Sequence, residues 1–182
     1  MRITLVNGEP DPGSLFQSYL DTLATHLVSA GHAVTELVLR DLHLKGCAGC
    51  WGCWVKTPGQ CAKGDDSALL CRGALDSDLL VLASPVHMGF TSALLKGAVD
   101  QMIPLLHPYF VMEGGEVHHR PRYGRYPRLA VLLDPRPGTD AEDLAITEAL
   151  WRRFGRNFKA PSVLTAVTGR TPLEVAHGFT AA

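Results

Sequence analysis

Apolar residues along this chain follow two periods. Short apolar runs of strand length occupy residues 3–6, 34–39, 79–83, 129–133 and 163–167. Between them lie longer stretches in which apolar positions recur every three or four residues. Residues 14–30 place Phe16, Leu20, Leu23 and Leu27 on one helical face. Ser14 and Gln17 stand at capping-box spacing, and Gly31 suits the stop. A second helix is expected over residues 65–74, entered through an aspartate. A third is expected over 91–102, with Leu94, Leu95, Ala98, Val99 and Met102 on its apolar side. A fourth spans 140–158, and a short helix follows at 172–178. The run at 79–83 is apolar at every position, which suits the centre of a parallel sheet covered on both faces.

The predicted order is β-α-β-α-β-α-β-α-β with short connections. Such alternation implies a parallel sheet with helices on both faces, an α/β architecture of three layers. Right-handed crossovers leave few topologies, and five strands suit the order 2-1-3-4-5. Residues 1–182 read as a single domain, with 104–128 a polar, His- and Arg-rich excursion from it. In sheets of this kind ligands bind beyond the carboxyl ends of the strands, at the switch point. The expected site therefore draws on residues 7–14, 84–90 and 134–139. Internal repeats and low-complexity runs are absent from the sequence.

Composition narrows the function classes. Hydrophobic content of 46% and charged content of 19% describe an ordinary globule, and 182 residues can bury a sizeable core. A net charge of −1 gives no basic footprint for nucleic acid. No apolar run is long enough to span a bilayer, so no membrane partner is expected. The first residues lack the apolar region of a signal peptide. A cytoplasmic location is therefore expected, where thiols stay reduced. The odd count of five cysteines also speaks against a disulfide framework.

Four of those cysteines fall within the stretch Gly46-Cys47-Ala48-Gly49-Cys50-Trp51-Gly52-Cys53-Trp54, continued by Lys56-Thr57-Pro58-Gly59, Cys61 and Asp65-Asp66. Their spacing is C-x2-C-x2-C-x7-C. The residues leave three readings open. Cys47, Cys50, Cys53 and Cys61 could hold a [4Fe-4S] cluster. They could complete a tetrahedral zinc site, although the usual two-pair spacing is missing. They could also be plain thiols packed against Trp51 and Trp54. Cys71, in the following helix, reads as a small core residue.

Three motifs carry a resemblance to a known family. One is the cysteine block with its Lys-Thr-Pro-Gly and Asp65-Asp66. The second is Ser84-Pro85-Val86-His87-Met88-Gly89, followed by Ala93-x-Leu95-Lys96 and Asp100. The third is Gly115-x-x-His118-His119-Arg120-x-Arg122-Tyr123-x-x-Tyr126-Pro127. Over residues 1–168 the chain resembles the flavodoxin-like NADPH-dependent FMN reductases, in the branch that includes the iron–sulfur flavoproteins. The resemblance implies a flavodoxin-like three-layer sandwich, FMN as cofactor and NAD(P)H as co-substrate. It implies electrons passed to a quinone, flavin or other small-molecule acceptor, by a homodimer or homotetramer. It places the FMN phosphate at Gly13, Ser14 and the amides of Leu15 and Phe16. The ring would lie along Pro85, Val86, His87, Met88, Gly89 and Phe90, with one edge at Asp134, Pro135 and Arg136. Two alternatives stand beside this reading. One is an iron–sulfur flavoprotein electron carrier with FMN and a cluster. The other is a flavodoxin-like accessory protein that has lost FMN.

The sequence departs from the family pattern in two places. Relatives carry a Gly-Ser-Pro-Arg type loop after the first strand. Here the loop is Asn7-Gly8-Glu9-Pro10-Asp11-Pro12-Gly13-Ser14. Pro10 and Pro12 have no N–H to donate. Glu9 and Asp11 bring like charge toward a phosphate, and one carboxylate at about 6 Å costs roughly 3 kcal/mol at an effective dielectric near 20 unless it turns to solvent. His87 stands where relatives often have tyrosine, and is a candidate catalytic donor to a flavin or substrate oxygen or else a pocket spacer. Gly89 suits a backbone lying close to a planar ring. Arg136 could meet a phosphate, a flavin charge or a loop carboxylate. Arg120 and Arg122 could meet a nicotinamide phosphate or a partner subunit. His118 and His119 would point opposite ways on a strand, so a solvated loop or a subunit contact is expected rather than a shared metal. Asp65-Asp66 is expected to cap the second helix.

Overall fold

The computed structural model describes residues 1–181. Its elements, in chain order, are β1 (Arg2–Asn7), α1 (Leu15–Ser29), β2 (Ala33–Val38), α2 (Gly52–Val55), α3 (Ser67–Asp76), β3 (Leu79–His87), β4 (Phe90–Thr91), α4 (Ala93–Asp100), β5 (Leu106–Glu113), β6 (Glu116–Pro121), β7 (Arg128–Pro135), α5 (Ala141–Phe158), β8 (Val163–Val167) and α6 (Pro172–Thr180). Five parallel strands run in the order β2-β1-β3-β7-β8. These are the five apolar runs, in the order expected of them.

The five-strand description needs correction. β4 pairs antiparallel with β3 and makes the sheet six-stranded. β5 and β6 form a separate two-stranded hairpin in the excursion. Its turn is Gly114-Gly115, with φ of 57° and 80°, values that glycine adopts without a Cβ penalty.

The period of two along each strand assigns side chains to two cores. Ile3, Leu5, Leu79, Val81, Ala83, Ala130 and Leu132 pack on one face with Phe16, Leu20, Leu23 and Leu27 of α1 and with Val175 and Phe179 of α6. Val6, Leu80, Leu82, Leu129, Val131 and Leu133 pack on the other with α3, α4 and α5. Leu79 to Ala83 are all fully buried, as both-face coverage requires.

Helix ends follow local chemistry. Ser14 caps α1 by accepting the Gln17 N–H at 3.0 Å. The reciprocal half of that capping box is missing, because the Gln17 side chain is drawn into a buried polar network instead. α5 has the full box, between Asp140 and Asp143. α4 is shorter than its apolar period suggested. Thr91 is taken up by β4, and Ser92 caps the helix by accepting the Leu95 N–H. No helix among the described residues is long and apolar enough to cross a membrane.

Candidate active site

The loop after β1 lies at the carboxyl edge of the sheet, where the topology places a ligand. Its conformation is dictated by alternation. Asn7 Oδ1 accepts the Glu9 N–H at 3.0 Å, Glu9 Oε1 accepts the Asp11 N–H at 2.9 Å, and Asp11 Oδ1 accepts the Gly13 N–H at 2.9 Å. Each odd-numbered side chain thus bonds the backbone two residues on, a habit of Asx-type turns. Between them stand Gly8, Pro10 and Pro12. The prolines offer no N–H, and the Gly8 N–H goes to the Ala83 carbonyl at 2.8 Å. Ser14 N–H reaches the Asp11 carbonyl at 3.3 Å.

Glu9 is turned inward with 1% of its surface exposed. Its second carboxylate oxygen is paired with the Arg136 guanidinium. Arg136 Nε also lies 3.1 Å from Asp134, off the axis of a hydrogen bond. Asp134 in turn accepts from Thr168 Oγ1 at 2.7 Å. Below the loop, Asn7 Nδ2 donates to Gln17 and Glu36, each at 2.9 Å. Arg40 donates to the Glu9 carbonyl at 3.1 Å and to Gln17 at 2.8 Å. Arg40, Gln17 and Glu36 were not anticipated from the sequence. They arrive from the segment after β2, from α1 and from β2, and no local motif marks that convergence.

The expected ring-facing segment is a tight hairpin. Val86 pairs with Thr91 and His87 with Phe90 around a Met88-Gly89 turn, whose φ values are 48° and 72°. His87 and Met88 are exposed, and Met88 projects fully into solvent. Gly89 has a reason independent of any ring. A Cβ there would stand 2.7 Å from Asp143 Oδ1, on a backbone already left-handed. Thr147 and Thr139 fix the turn by donating to the Gly89 and Val86 carbonyls. Pro85 and Val86 are buried in β3. Phe90 faces a cavity of about 280 Å³ between α4 and α5, alongside Trp151 and Phe154.

The structure therefore gathers Gly13, Asp134, Pro135 and Arg136 around the loop, caps α1 with Ser14, and leaves Leu15 exposed on the first turn of α1. It sets His87, Met88 and Gly89 apart on a turn. Tested against FMN, the two ends of this site differ. The turn is open to a planar ring. The phosphate end does not fit in this arrangement: every loop amide from Gly8 to Ser14 is already bonded within the chain. Only Leu15 and Phe16, the first two amides of α1, lack an intrahelical acceptor by geometry.

The cysteine block forms a second locus. Cys47, Cys50, Cys53 and Cys61 line one cavity of about 330 Å³ with Gln101 and Pro104. Trp51 and Trp54 stack on each other at 4.9 Å, and Trp54 donates to the Leu106 carbonyl. Burial pushes the Cys53 thiol up, and the neighbouring Cys61, Cys47 and Cys50 push it further. Among the described residues no three Cys, His, Asp or Glu side chains converge tightly enough to hold a metal ion. His118 and His119 do diverge. His118 meets Asn157 and Glu116, while His119 meets the His107 carbonyl. Arg122 braces the Pro104 and Leu106 carbonyls, so its guanidinium is engaged within the chain.

Asp65 holds the cysteine block to the body of the protein. It accepts from Lys45 N–H at 2.9 Å, from Gln101 Nε2 at 2.8 Å and from Ser67 through both N–H and Oγ–H. Asp66 accepts from His43 N–H rather than capping α3 with its side chain. Burial alone would raise the Asp65 carboxyl, but these hydrogen bonds outweigh it and hold the group well below the usual carboxylate range. A depressed folded value stabilises above the unfolded pKa of about 3.9 and loses that contribution as pH falls. Asp65→Asn should therefore lower the urea midpoint at pH 7. The gap from wild type should close as pH falls below about 4. A constant gap across that range would refute the assignment.

Comparison with known proteins follows the same lines. The family model described as NADPH-dependent FMN reductase matches residues 1–121. An iron-sulfur flavoprotein of Archaeoglobus fulgidus is 30% identical over 107 residues, covering 59% of this chain and 48% of that protein. The match thus spans about half the length of that relative. An NAD(P)H:quinone oxidoreductase from Methanothermobacter marburgensis superposes with a TM-score of 0.67 at 16% identity, over 100% of this chain and 99% of the other. An azoreductase from Bacillus anthracis gives 0.68 at 14% identity, over 97% and 96%. These two likenesses show the shared flavodoxin-like fold. With the family model matching well over half of its length, the chain belongs to the NADPH-dependent FMN reductase family of oxidoreductases.

Proposed function

We propose that this protein is an NAD(P)H-dependent oxidoreductase that uses an exchangeable flavin and delivers electrons to a quinone, a free flavin or another small acceptor. The observation that carries the reading is an open β3–β4 turn at the carboxyl edge of the sheet, together with a phosphate seat after β1 that the chain has filled itself. Flavin and nicotinamide own the redox chemistry, and the protein's work is to hold them. His87, Met88 and Gly89 present the turn against which a planar ring can lie. Asp134, Pro135 and Arg136 bound one edge, and Ser14 and Leu15 open α1 beside it. His87 is the candidate donor to an acceptor oxygen. Family membership supports the cofactor pair, and the quinone oxidoreductase with the same fold supports a planar acceptor. A homodimer or homotetramer acting in the cytoplasm completes the proposal.

Anaerobic NADPH and NADH oxidation, followed with and without added flavin and a quinone, tests it. Oxidation that requires added flavin and saturates with it is the expected result. No stimulation by FMN or riboflavin with either nucleotide would sink the reading.

The four-thiol cavity favours a second reading, an iron–sulfur flavoprotein in which Cys47, Cys50, Cys53 and Cys61 draw together on a cluster. The relative from Archaeoglobus fulgidus supports it. Iron counted on anaerobically purified protein decides: about four per chain establishes the cluster, and none leaves the thiols structural.

A further inference from the structure

We infer that Glu9 is an internal anion occupying the phosphate seat, and that the site therefore takes a flavin with a neutral ribityl chain, riboflavin, at least as well as it takes FMN. This rests on the flavin reading above. Three observations carry it. First, Glu9 and Asp11 take the loop amides of Asp11 and Gly13 that would otherwise face an external anion. Second, Glu9 is 1% exposed and holds the guanidinium of Arg136, which could otherwise meet a phosphate. Third, the carboxylates of Glu9, Asp11 and Asp134 outnumber the guanidiniums of Arg40 and Arg136 around the loop. Seating a phosphate on the loop amides and Arg136 would mean breaking two backbone hydrogen bonds and an ion pair, and seating it on the Leu15 and Phe16 amides alone would still hold it against the Glu9 and Asp11 carboxylates. Riboflavin lacks only that phosphate and meets none of these costs.

The turn chemistry explains why the carboxylates do not simply swing to solvent. Pro10 and Pro12 fix φ on either side of Asp11. Each acceptor in the Asn7–Glu9–Asp11 series is satisfied by the backbone N–H two residues on. The series also braces the core, since the Gly8 carbonyl between them accepts from Ser92 Oγ at 2.7 Å.

Quenching of flavin fluorescence, titrated for both flavins, reads the preference. The proteins compared are wild type, Glu9→Gln and the double variant Glu9→Ser with Asp11→Asn. In wild type, riboflavin should bind as tightly as FMN or more tightly. In both variants FMN affinity should rise about tenfold or more, the scale set by removing a nearby like charge, while riboflavin affinity stays within about threefold. Wild-type protein that prefers FMN by tenfold or more would overturn the inference and leave the flavin reading standing. So would an FMN-to-riboflavin ratio that neither variant moves. Failure of both flavins to bind any of the three proteins would overturn the inference together with the reading beneath it. The wild-type ratio decides even if a variant fails to fold.

Discussion

Arg136→Ala should destabilise the protein by about 3 kcal/mol or more, measured by urea denaturation at neutral pH. Arg136 is a quarter exposed, but its partner Glu9 is not. Removing the guanidinium leaves a carboxylate buried without its counter-charge, and the cost of that exceeds the worth of the pair itself. The remaining contacts of Glu9 do not replace it. Arg40 reaches only the Glu9 carbonyl, and the Asp11 amide meets the other carboxylate oxygen. The double variant Arg136→Ala with Glu9→Gln should recover most of the loss, because the buried Glu9 charge is then gone, and Asp134, the other partner of Arg136, keeps its hydrogen bond from Thr168. The coupling between the two sites is the quantity of interest. A single-variant loss below about 1 kcal/mol, the range of exposed ion pairs, would mean that Glu9 reaches water and does not fill the seat.

Leu82→Ala is expected to cost about 2–5 kcal/mol, the range for truncating a fully buried leucine. Leu82 is on β3, hydrogen-bonded between β1 and β7, where no loop can collapse into the space left. It is fully buried in the core shared with α3, α4 and α5. Against a total stability of about 5–15 kcal/mol that is a large fraction. A shift in denaturation midpoint with an unchanged slope would confirm a packing effect. A loss well under 1 kcal/mol would contradict the central placement of the strand.

That placement was readable from the chain alone. Residues 79–83 carry no polar side chain, and only a strand covered on both faces tolerates that. Residues 163–167 were likewise bounded by their apolar run. β4 was not legible, because a two-residue strand leaves no period. The β5–β6 hairpin was missed for another reason. Its residues mix exposed Phe110, Met112 and Val117 with buried His118, which inverts the usual pattern. Gly114-Gly115 was the available signal.

The candidate site was legible in position and not in detail. Switch-point reasoning located the loops of residues 7–14, 84–90 and 134–139. The acidic, proline-bearing loop was recognised as hostile to phosphate, but its odd-numbered ladder of Asn7, Glu9 and Asp11 was not. That ladder depends on side-chain rotamers, and the Arg136 pair spans 127 residues of chain. Such a contact has no local signature. Gly89 was assigned to ring approach, whereas the structure also requires it for the left-handed turn against Asp143.

The most direct test is the flavin content of the protein after gel filtration in flavin-free buffer, read from its visible absorbance, with the flavin then identified by chromatography. An exchangeable flavin facing a filled phosphate seat predicts well under one flavin per chain, with NADPH oxidation restored by adding riboflavin or FMN. One FMN retained per chain through the column would contradict it, and would mean that the loop opens to seat the phosphate.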